Sequence, residues 1–107
     1  MMVAVKHWMF ALAVLGTVTT DAVARDAKEG EALARRLCAH CHMLPGQGEK
    51  QKAGDVPSFA AVAARPGQSY ETIVRWLQSR PTMMPDHHLS QDESYALAAY
   101  ILSLAPR

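Results

Sequence analysis

Long apolar runs are scarce in this chain. The run nearest the start, residues 8–18, is about 11 residues long, roughly half of the ~20 that a membrane-spanning helix needs. Charge of one sign is also missing. Across 107 residues, 11 Lys and Arg stand against 10 Asp and Glu, for a net charge of +1. No long basic face of the kind that nucleic acid demands is visible. Alternating apolar and polar residues of strand type are absent, as is any internal repeat. Cysteine is limited to Cys38 and Cys41, so close together that a disulfide between them would close almost no loop. These absences exclude a nucleic-acid binder, a membrane span in the mature chain and a disulfide-stapled scaffold.

What is present begins with "MMVAVKHWMFALAVLGTVTTDAVA". One cation, Lys6, precedes the apolar run, and the small residues Ala22-Val23-Ala24 follow it. That order reads as a secretory signal, residues 1–24, cleaved before Arg25. The mature domain is then residues 25–107, about 83 residues, and its net charge stays at +1. A domain of this size has a marginal core and needs a staple. With no useful disulfide, a bound cofactor is the expected one.

Four helical segments can be read, joined by loops rich in Gly and Pro. The first is expected to start near Asp26, which with Glu29 has the spacing of a capping box. Gly30, Leu33, Ala34, Leu37, Cys38 and Cys41 recur along one of its faces. "MLPGQGEKQKAGDVP" follows as loop, then "SFAAVAAR" as a short helix ended by Pro66. "SYETIVRWLQS" is a third helix, capped by Ser69, with Ile73, Trp76 and Leu77 on one side. "RPTMMPDHHL" is held non-helical by Pro81 and Pro85. The last helix starts at Ser90 with Glu93 completing a capping box, and Leu97, Ile101 and Leu104 form its stripe. The fold class is all-α.

The chemistry concentrates in "CAHCH", Cys38-Ala39-His40-Cys41-His42. A redox Cys-x-x-Cys pair needs a helix N-terminus to lower a thiol pKa, and this pair falls at a helix end. A structural zinc needs four ligands; the only distant candidates are His87 and His88, and ligands at the adjacent positions 41 and 42 would be strained. A Cys-x-x-Cys-His segment also attaches haem covalently, with two thioether bonds from the thiols and the histidine on the iron. Cys38 and Cys41 lie three apart, so one helical turn presents both to the same porphyrin edge, with His42 beneath it. His40 is a solvent-facing spacer. A ligand for the opposite face must come from a distant, irregular segment. "RPTMMPDHH" offers the thioethers of Met83 and Met84 between two prolines.

The chain resembles the class I c-type cytochromes, in particular small bacterial monohaem ones. The resemblance covers nearly all of residues 25–107: Gly30 about two helical turns before Cys38, then "CAHCH", "DVPSF", "ETIVRWLQS" and "MMPDHHLSQDESYALAAYI". It implies a cytochrome c fold of about four short helices around one covalently bound haem c. The Met before the proline of an "MP…LS" segment is the family's distal ligand, which lands on Met84, with Met83 in reserve. The resemblance further implies that Gly30 lets the first and last helices cross closely at Leu97 and Tyr100. It implies that the Pro57 carbonyl meets the second nitrogen of His42, and that Trp76 lines the distal side. Ala34 stands where the family often has an aromatic residue. The loop at residues 46–55 is shorter than in mitochondrial relatives.

The function so implied is that of a periplasmic electron-transfer protein with His/Met iron ligation, and not of an enzyme. Its partners would be redox proteins: a dehydrogenase, oxidase or reductase. Two other readings are a haem subunit bound permanently to a periplasmic dehydrogenase, and a ligand-binding or peroxidatic haem protein with a labile Met84.

Overall fold

A computed structural model describes residues 20–47 and 56–106. Most of the expected signal, residues 1–19, and most of the short loop, residues 48–55, lie outside the described residues. The described chain forms four helices: α1 Thr20–Leu37, α2 Phe59–Ala63, α3 Tyr70–Gln78 and α4 Gln91–Ser103. Among the described residues there is no strand, so the all-α expectation holds. No described helix is long and apolar enough to cross a membrane.

Local chemistry explains three of the four helix starts. The Ser90 hydroxyl accepts the Glu93 amide at 3.0 Å, and the Glu93 carboxylate accepts the Ser90 amide at 2.9 Å. Each satisfies a donor that the first turn leaves without an intrahelical partner. The backbone amide of Ser90, foremost, holds the Glu93 carboxyl below its usual range. Ser69 and Thr72 form the same reciprocal box at α3, and Ser58 caps α2 by accepting the Ala61 amide. Ser90→Ala is expected to cost about 1 kcal/mol, read as a lower denaturant midpoint at unchanged slope. An unchanged midpoint would show that the cap contributes nothing.

The start of α1 differs from expectation. In the uncleaved chain the helix begins at Thr20, so Asp26 lies inside it and is not its cap; the expected cleavage before Arg25 would leave Asp26 near the start of the mature helix. No Gly or Pro interrupts residues 20–26, and Ala22 and Ala24 are strong helix formers, so nothing stops the helix from running back past Asp26. The capping spacing at Asp26 and Glu29 was a local signal without a chain break to accompany it.

Helix α4 is the centre of the core. Its Ala96, Leu97, Ala98, Tyr100 and Ile101 are buried together with Leu33 and Ala34 of α1, Phe59 and Ala63 of α2, and Ile73 of α3. The other three helices all pack against it. Gly30 makes the α1–α4 crossing possible. A Cβ there would stand 2.6 Å from the Ala96 carbonyl carbon and 2.8 Å from the Tyr100 Cβ, and closer still to the Ala96 carbonyl oxygen. The atoms nearest the glycine therefore belong to Ala96 and Tyr100 rather than to Leu97. The fully buried Ser94 is satisfied by Gln78, whose amide donates to its hydroxyl at 2.6 Å and ties the end of α3 to α4.

Candidate haem site

Helix α1 ends at Leu37, and "CAHCH" folds into consecutive turns directly after it. The Ala34 carbonyl accepts the amides of both Cys38 (2.8 Å) and Ala39 (2.9 Å). The Cys38 carbonyl in turn accepts those of Cys41 (3.1 Å) and His42 (2.8 Å). These paired bonds close five residues into a compact unit. Arg35 and Arg36 in the last turn suit the negative end of the helix dipole. Ala39 is buried, His40 and Cys41 are exposed, and Cys38 and His42 are half-buried. The expectation of an outward-facing His40 holds.

The Cys38 thiol does not resemble the attacking thiol of a redox pair. Burial pushes the Cys38 thiol up to about 11, opposite to the lowered value a reactive thiolate requires. A zinc site also fails: among the described residues no three His, Cys, Asp or Glu side chains cluster to hold a metal.

His42 is oriented by two neighbours from the start of α2. Its Nδ1 lies 2.7 Å from the Pro57 carbonyl oxygen. A carbonyl can only accept, so Nδ1 carries the proton and, in the neutral ring, Nε2 keeps its lone pair. The Phe59 ring packs beside the imidazole, centroids 4.9 Å apart at an angle of 40°, and Phe59 itself meets Tyr100 edge-on at 6.3 Å. The Phe59 amide donates to the Met43 carbonyl at 3.0 Å, joining the "CAHCH" segment to α2. Sequence reading anticipated the Pro57 bond by resemblance but missed Phe59. Its only signal was an aromatic residue two positions after that proline.

The methionine segment joins α3 to α4. Met84 is half-buried, and its amide donates to the Pro81 carbonyl at 3.1 Å, making a tight turn. Met83 is 88% exposed. Trp76 is 52% exposed and is therefore not a core residue of α3, where Ile73 is buried and Leu77 packs partly against the core. His87 and His88 are exposed. Asp86, which sequence reading passed over, accepts the His88 amide at 2.8 Å, and that bond foremost holds its carboxyl below the usual range. The Asp-x-His spacing of such a turn was present in the sequence.

These residues fit a covalently attached haem. Committing Nδ1 to Pro57 leaves one imidazole nitrogen with a lone pair, as an iron ligand requires. The large apolar side chains left exposed among the described residues are Val56, Trp76 and Met83.

A family model described as cytochrome c oxidase, cbb3-type, subunit III matches residues 25–101. Cytochrome c-552 of Bradyrhizobium diazoefficiens is 43% identical over 88 residues, covering 82% of this chain and 84% of that protein. A nitric oxide reductase subunit of Paracoccus denitrificans is 32% identical over 76 residues, covering 64% of this chain and 51% of that protein. This chain thus spans about half the length of the second relative. No solved structure matches it.

Proposed function

The chain belongs to the class I c-type cytochromes, electron carriers with a covalent haem c, and on that premise we propose that it is a periplasmic carrier with His42 and Met84 as axial ligands. Cys38 and Cys41 are the attachment points in this reading. The observation that carries it is the 2.7 Å contact between His42 Nδ1 and the Pro57 carbonyl, which reserves Nε2 for the iron. The periplasmic assignment rests on the charge and hydrophobic order of residues 1–24, and the family match begins at Arg25, directly after the expected cleavage point.

When bound, the haem supplies a one-electron ferric–ferrous couple. The chain's residues tune and hold that couple. Pro57, by accepting the Nδ1 proton, raises the donor strength of Nε2 and fixes the tautomer. Phe59 limits rotation of the imidazole. The Met84 thioether is a soft ligand that favours the reduced state relative to a second histidine. The prolines at 81 and 85 restrict the backbone on either side of it.

The test is spectroscopic. Met84→Ala should lose the methionine–iron charge-transfer band of the oxidised protein and bind carbon monoxide when reduced, whereas Met83→Ala should do neither. The opposite pattern would move the ligand to Met83. Absence of the c-type bands from the wild-type protein would end the reading altogether.

A permanent role within a larger assembly is the second reading, favoured because the nitric oxide reductase relative is by its name one part of an enzyme with several chains. The free carrier is preferred because the match to cytochrome c-552 spans most of both chains. A monomer isolated at high salt supports the carrier; copurification with a catalytic partner supports the permanent assembly.

A further inference from the structure

Among the described residues, two other than glycine adopt the left-handed backbone region, Arg80 and His88, each at φ 53°. They stand at the two ends of the segment that carries Met84. Arg80 follows the α3 cap residue Ser79 and turns the chain out of the helix. His88 precedes Leu89, which packs on the core, and Ser90, which caps α4. Side chains with a Cβ adopt this conformation at a cost, and persist there where their surroundings compensate.

Both ends meet one carboxylate. Asp86 Oδ1 accepts the His88 amide at 2.8 Å. Its Oδ2 lies 3.6 Å from Arg80 Nε and 3.7 Å from His88 Nδ1. The segment between them is turned by the Met84–Pro81 backbone bond, and its roots are tied by Gln78 and Ser94. The Arg80 side chain is 74% exposed, so that pair contributes little by itself. The bond from the His88 amide to a charged acceptor is the stronger link.

We infer that Asp86 is a positioning residue for the distal ligand, clamping the 80–88 segment at both ends so that Met84 keeps its place. This rests on the assignment of Met84 as ligand. Asp86 touches neither iron nor substrate in this role; it sets how often the segment opens. A competing ligand samples that opening directly, because it enters only while the thioether is away.

The experiment uses the oxidised, haem-loaded protein with imidazole as the probe, following loss of the methionine–iron band. Asp86→Ala should lower the imidazole concentration for half-displacement about five-fold, the effect of one lost hydrogen bond on a local equilibrium. Asp86→Asn keeps an oxygen that can accept the His88 amide, and should recover part of the wild-type resistance. Guanidinium unfolding followed by far-ultraviolet circular dichroism should move far less, since the contacts are local. Unchanged imidazole competition in Asp86→Ala, with the band absent in Met84→Ala, overturns the clamp and leaves the ligand assignment standing. A fall in global stability equal to the gain in imidazole binding also overturns it. A band that survives in Met84→Ala overturns the ligand assignment and the clamp together.

Discussion

Replacing both thiols, Cys38→Ala with Cys41→Ala, should yield a protein from which acidified organic solvent extracts all the haem, where the parent retains it. The expected consequence reaches beyond the cofactor. Residues 25–107 amount to about 83, a size at which one hydrophobic core supplies only a few kcal/mol. The chain has no other cysteine for a disulfide. Losing the covalent link should therefore remove cooperative thermal unfolding at ordinary temperatures, measured by circular dichroism without added haem. His42→Ala separates the two roles: the thioethers should survive while the low-spin spectrum is lost. A fully helical, cooperatively melting double variant would show that α1 to α4 hold together without the cofactor as a staple.

Gly30→Val should destabilise the haem-loaded protein by about 3 kcal/mol, the upper part of the range for overpacking. That is a drop on the order of 15 °C in Tm for a domain of this size. Even Gly30→Ala should fall below the parent. Helix propensity alone favours alanine over glycine by about 1 kcal/mol, so the sign of the change tests the structural account. The new Cβ meets the Ala96 carbonyl and the Tyr100 Cβ at 2.8 Å or less, and the first of these is backbone that no rotamer change can move. The helices must separate, which loosens Leu33 and Ala34 against α4. An alanine variant as stable as the parent would show that the crossing is looser than these distances state.

Much of the fold was legible because its signals are short-range. The serines at 69 and 90 cap helices through residues three positions away, and no distant contact is needed to recognise them; Ser58, which sequence reading put inside the second helix, caps it in the same way. In the uncleaved chain the first helix starts earlier than its capping spacing suggests, for the complementary reason. A capping spacing marks a boundary only if the chain before it leaves the helix, and residues 20–25 continue it. The exposure of Trp76 was not legible, because spacing reports which side chains share a face, whereas exposure depends on what that face meets.

The candidate site divides along the same line. By itself, the sequence offered the candidate donors: two thiols and a histidine within five residues, and a methionine pair between prolines. Covalent attachment requires only the two thiols and the histidine at that spacing, whatever the rest of the chain does. Tertiary structure decided which imidazole nitrogen is committed, since Pro57 meets His42 across a separation of 15 residues. It also left Met83 in solvent and Met84 half-buried, and brought Asp86 between Arg80 and His88. These are relations between groups whose directions are set by backbone angles and by packing against α4, and a residue's type and spacing do not encode direction.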